Sequence, residues 1–169
     1  MEKKNTHMMY GFITGLIMSA VGAILYLSGV ALKPGMQYVS YIPFLIGLIL
    51  NAQAFTKAND GFVSYGNVFS SCFKATAIIT LILLLWSLLS GVIFPHMKDE
   101  ILEMTHKKMA ENPKMTDEQI DMAMNMTKKY WTVFMVAGVV FITLFWGAIF
   151  SLIAAAIPKK KGAAPMQNI

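Results

Sequence analysis

The sequence predicts an all-α integral membrane protein: a four-helix bundle with an extramembrane amphipathic helical hairpin between spans three and four. Three observations predict it. Hydrophobic residues make up 56% of the chain and charged residues only 14%, far from the soluble average. The apolar residues gather into four runs, approximately 8-32, 38-55, 68-94 and 131-157, each near or above the length of helix needed to cross a ~30 Å hydrocarbon core. One long polar passage, 95-130, holds seven of the nine acidic residues and six of the fourteen lysines. It is therefore expected to be the main aqueous surface of a single transmembrane domain spanning residues 1-169.

The first run is almost uninterruptedly apolar from Met8 to Leu32, with Lys3 and Lys4 ahead of it and Lys33, Pro34 and Gly35 behind. Gly29 and Ala31 have the small-x-small look of a cleavage site, but the run exceeds the ~7–15 apolar residues of a signal peptide. An uncleaved anchor is expected. Gly11, Gly15, Ser19 and Ala23 recur every four residues and make one face flat enough for a neighbouring helix to approach closely.

The turn from Lys33 to Gln37 is so short that the first two spans must be antiparallel neighbours. Tyr38 and Tyr41 mark the membrane interface, and Pro43 falls early enough in its helix to be tolerated. Asn51 is expected to face the bundle on the row Pro43, Gly47, Asn51, because an unpaired amide is costly in lipid. Its role is structural glue or solute binding, with Gln53 beside it. Asn59, Asp60 and Gly61 supply turn chemistry, and Phe62 and Tyr65 belong at headgroup level. Lys74 enters the third span within its first turns and is expected to snorkel outward. An intramembrane lysine is otherwise a functional suspect, so Asn51, Gln53 and Lys74 are the candidate functional polar positions.

Within the polar passage, Met97 to about Glu111 places Ile101, Leu102, Thr105 and Met109 on one helical face, with Glu103 four residues before Lys107. Asn112 and Pro113 end that helix. Thr116 and Gln119 form a capping box, and Asp117 and Glu118 suit the positive end of the next helix dipole. Ile120, Ala123, Met124, Thr127, Trp131 and Phe134 then keep helical spacing. Ile101, Met109, Ile120 and Met124 are the candidate interaction surface. No proline or glycine interrupts the path from Asp117 until Gly138, which predicts one continuous helix to about Ile157, entering the membrane at Tyr130 and Trp131. Thr143, Gly147, Ser151 and Ala155 repeat the small-residue row. The tail, 158-169, is expected to be disordered.

Composition and motifs exclude several functions. All fourteen basic residues are lysine, which removes the bidentate guanidinium used to grip phosphates and guanine edges and argues against nucleic acid. The single cysteine, Cys72, makes no internal disulfide or zinc cluster and is expected to be a packing residue. Met122, Met124 and Met126 suggest a soft copper(I) site, but on a helix Met124 points away from the other two. Zincin, phosphate-loop and nucleophile-elbow motifs are absent, so neither an enzyme nor a cofactor is expected. The expected contacts are membrane lipid and a protein partner or second copy met by the hairpin. A small oligomeric transporter or channel is the alternative. Four spans put both termini on one side. The lysines divide seven against seven between the sides, and the terminal lysines, lying beside spans without acidic neighbours, favour the cytoplasm.

The connector reads Gly61-Phe62-Val63-Ser64-Tyr65-Gly66-Asn67-Val68-Phe69. With four spans, a charged hairpin before the fourth and a lysine-ended last span, it resembles the bacterial membrane family labelled domain of unknown function 4199 over nearly the whole chain. The resemblance is carried best by Gly61, Ser64, Tyr65, Gly66 and Phe69. Family members often place a lysine directly after that phenylalanine. This chain has Ser70 there and Lys74 one helical turn later. The resemblance implies an inner-membrane protein of Gram-negative bacteria, with no activity attached.

Overall fold

The computed structural model describes residues 5–161. They form six α-helices and a short 3-10 helix, Met36–Ser40, and contain no strand. The α-helices are α1 (Thr6–Leu27), α2 (Tyr41–Ala58), α3 (Tyr65–Ile93), α4 (Met97–Ala110), α5 (Asp117–Lys129) and α6 (Trp131–Ala156). Four of them, α1, α2 with the preceding turn, α3 and α6, are long and apolar enough to cross a membrane.

Three helix ends differ from expectation, each for a local reason. The first helix stops at Leu27, not Leu32, because Gly29 turns left-handed (φ 67°). The Gly29 amide then donates to Tyr26 O (2.9 Å) and the Val30 amide to Leu25 O (3.1 Å), the bond pair of a Schellman cap. Likewise α2 runs past Phe55 to Ala58, where Asp60 takes the left-handed position (φ 53°). There the Asp60 amide bonds Lys57 O and the Gly61 amide bonds Thr56 O. Helix α3 opens at Tyr65, ahead of the expected Val68, because the Ser64 hydroxyl accepts from the Asn67 amide (3.2 Å) and caps the first turn.

The chain forms two compact units. The larger takes residues up to Leu83 together with those from Phe141, and the smaller is Leu84–Val140.

In the larger unit the small residues set how closely the helices approach. A Cβ on Gly11 would lie 2.8 Å from Ala75 O, and one on Gly15 2.9 Å from the Ile82 Cβ. A Cβ on Gly47 would overlap the Thr14 side chain, and one on Gly147 the Thr76 side chain. Both small-residue rows are thus used within the chain, and α3 receives one from α1 and the other from α6. Phe44 and Phe150 meet edge to face at 5.4 Å between α2 and α6, over a core that includes Leu48, Val68 and Ile79. Leu81 (62% exposed) and Phe141 (71%) face outward, a surface suited to hydrocarbon. The expected disorder from residue 158 does not begin at once. Lys161 is held by its amide to Gly61 O at 2.8 Å, while 162–169, like Lys3 and Lys4, lie outside the described residues.

In the smaller unit, α4 and α5 close on a core of Leu102, Ile120 and Met124, backed by Met109, Met115 and Trp131. The capping box forms as expected. The Gln119 amide donates to Thr116 Oγ1 (3.3 Å) and the Thr116 amide to Gln119 Oε1 (3.1 Å). Thr116→Ala is expected to cost ~1 kcal/mol locally, read as about fivefold faster hydrogen exchange in the first turn of α5 in the full-length protein.

The predicted continuous helix is broken at one residue. Tyr130 leaves helical geometry (φ −108°, ψ 24°), although its amide still bonds Met126 O (2.9 Å) and its carbonyl accepts from the Phe134 amide (3.0 Å). Two packing demands meet there. α5 is held against α4, whereas Trp131, Phe134 and Met135 line a groove with Ser87, Ser90 and Gly91 of α3. One relaxed residue reconciles them.

Candidate functional site

The three polar positions singled out from sequence part company. Asn51 is fully buried, and its Nδ2 donates to Ser71 Oγ (3.2 Å) and Cys72 Sγ (3.7 Å) on α3. The Cys72 thiol donates to Leu48 O (3.5 Å), and Thr76 Oγ1 donates to Cys72 O (3.2 Å). This is a polar layer joining α2 to α3. Asn51 Oδ1 and the Oγ of fully buried Ser151 on α6 have no partner among the described residues. Gln53 is exposed, because two residues on an α-helix are ~200° apart. Lys74 is also exposed.

Lys74 instead lines a cleft of about 390 Å³. Its walls come from the start of α1 (Asn5, His7), the end of α2 and the connector (Phe55, Asn59, Phe62, Val63), and the start of α3 (Asn67, Ser70, Ser71). Ser70 and Lys74, one helical turn apart on α3, both line this cleft. No sequence pattern joined His7 and Asn67 to Lys74. They come from two helix starts, and only the Ser70–Lys74 spacing was readable beforehand.

The connector motif holds the rim. Gly61 (φ 83°) follows the left-handed Asp60, and its carbonyl accepts from the Lys161 amide. Tyr65 donates its hydroxyl to Leu152 O (2.8 Å) and carries Lys160 Nζ 5.7 Å over its ring. The Phe69 ring stacks on Phe73 at 5.9 Å. A Cβ on Gly66 would meet only Ser64 Oγ, at 3.9 Å, so the space there is open.

The surface expected on the smaller unit moves. Ile120 and Met124 are 5% and 6% exposed and form the core between α4 and α5, with half-buried Met109 against them. Half-buried Ile101 lines the groove beside Met97 and Trp131. Three of the four, Met109, Ile120 and Met124, pack the helix pair onto itself, because the apolar stripes of α4 and α5 cover each other, and Ile101 belongs to the groove. What stays outward on α5 is a second stripe, Met122 (62%), Met126 (53%) and Tyr130 (42%), opposite Met124 as the helical spacing requires.

Glu103 and Lys107 form an exposed 2.8 Å ion pair. The hydrogen bond from Lys107, then its charge, hold the Glu103 carboxyl below its usual range, and the same pairing raises Lys107. The pair's small contribution is present between the two ranges, lost as pH falls through the lowered carboxyl value and lost again as it rises through the raised amine value. Among the described residues no three His, Cys, Asp or Glu side chains gather as a metal site.

No curated protein and no solved structure matches the chain. A family profile described as "Protein of unknown function (DUF4199)" matches residues 9–160. That stretch runs from the first turn of α1 to the lysines after α6 and takes in the connector motif, so the chain belongs to the DUF4199 family.

Proposed function

We propose that this is a non-enzymatic multi-pass protein of the bacterial inner membrane, with both termini cytoplasmic, that docks a protein partner through the outer face of α5. The observation that carries this reading is the exposed Met122–Met126–Tyr130 stripe on a helix whose other apolar face is already buried in its own core. A soluble helix has no structural use for a second apolar face, and flexible thioethers suit an adaptable contact. The alternative of a small transporter or channel is weakened because Gln53 lies on the exposed side of α2 and Asn51 reaches the Lys74 cleft only through Ser71.

The test is a photo-crosslinking residue at Met122 of the full-length protein in its native membrane. A discrete protein adduct is expected, reduced about tenfold by Met126→Glu, which corresponds to ~1.4 kcal/mol of lost docking energy. An adduct of twice the chain mass identifies the partner as a second copy. Crosslinking no stronger than at exposed Lys108 would sink the proposal.

A further inference from the structure

We infer that the Lys74 cleft binds a phosphate group, that of an anionic lipid headgroup. The cleft lies within the larger unit and is independent of the docking role given to α5.

Charge comes first. The charge lining the cleft is that of Lys74, no carboxylate lines it, and Lys74 has no ion-pair partner among the described residues. Around the same helix ends are Lys57, Lys159, Lys160 and Lys161, opposed among the described residues only by Asp60. Lysines in such excess concentrate anions.

Hydrogen bonding points the same way. Ser71 is 4% exposed and lines the cleft. Its oxygen accepts from Asn51 Nδ2, while its own proton has no acceptor among the described residues. A buried hydroxyl with an unused donor calls for an acceptor, and phosphate oxygens are strong ones.

Depth and the adjoining surface select a lipid as the source. The cleft lies where α1 begins, α2 ends and α3 begins, so three apolar helices reach the headgroup level together. Below Lys74 on the same face of α3 follow exposed Ala77 and Leu81, at the i+3 and i+7 positions that share a helix face. A headgroup phosphate on Lys74 thus has an apolar track for its acyl chain. A free phosphate has no use for one.

The experiment is native mass spectrometry of the full-length protein released from bilayers containing equal phosphatidylglycerol and phosphatidylcholine. The expected result is selective retention of phosphatidylglycerol, reduced about fivefold by Lys74→Met and unchanged by Lys33→Met at the opposite end of α1. Ser70→Glu, a second exposed substitution that puts a carboxylate in the cleft, should abolish the adduct with the fold intact. Equal retention of the two lipids, or an adduct surviving both Lys74→Met and Ser70→Glu, overturns the inference. A separate arm adds millimolar inorganic phosphate. Undiminished phosphatidylglycerol supports the lipid source, whereas displacement with binding of the free anion overturns it.

Discussion

Gly147→Ala should destabilise the protein by about 1–3 kcal/mol, the usual cost of overfilling a packed core. The new methyl group would overlap Thr76, which is fully buried. Thr76 has no easy retreat, since its β-branch stiffens χ1 and its hydroxyl is bonded to Cys72 O. Close backbone approach is also what holds helices together in lipid, where no hydrophobic force drives them. The sign of the effect is diagnostic, because alanine normally improves a helix over glycine by roughly 0.5–1 kcal/mol. Gly138, on the same helix with nothing within 4 Å of its Cβ position, should therefore show neutral or improved stability as alanine. Cys72 is the sole cysteine and fully buried, so a thiol-reactive dye reports unfolding directly. Adding Thr76→Ala to Gly147→Ala should restore most of the loss. Failure to restore it would remove close packing as the cause.

Asn51→Asp should cost more, on the order of 3–5 kcal/mol if the carboxylate stays charged. The substitution deletes the donor to Ser71 and Cys72 and places a charge where the asparagine oxygen already lacks a partner. The new carboxylate will take up a proton instead, because burial disfavours its charged form. A group that binds its proton more tightly in the folded state makes the variant regain stability as pH falls. In the same dye assay the Asn51→Asp variant should melt far below wild type at neutral pH and partly recover in acid, with no matching recovery in wild type. Asn51→Leu, which removes the amide without adding charge, should lose only about 1–2 kcal/mol. Equal melting of the aspartate and leucine variants would show that residue 51 reaches water.

What was legible in the sequence was local or periodic. Thr116 and Gln119 announced a helix start because a capping box is written in four consecutive residues. The rows from Gly11 and from Thr143 announced close contacts because small residues recur at helical spacing. The stop at Gly29 was hidden, since Val30, Ala31 and Leu32 keep the apolar run going and composition carries no record of a left-handed backbone. Apolar spacing showed that Ile120 and Met124 need covering, but α4 supplies the cover, which left Met122 and Met126 as the outward stripe. The cleft was illegible for a different reason. His7, Asn59 and Lys74 belong to separate segments and meet only because Gly11 lets α1 lie against α3 at Ala75.

The place of α3 between two glycine rows also sets a timetable. Its Thr76 face is completed by Gly147, 71 residues later in the chain. At roughly 5–20 residues per second, synthesis leaves that face uncovered for several seconds. Thr76 and Thr80 meet the wait by donating to the carbonyls of Cys72 and Thr76, at 3.2 and 2.9 Å. Neither hydroxyl needs α6 for a partner, so the nascent helix can rest in lipid without an unmet polar group on that face until the last span arrives.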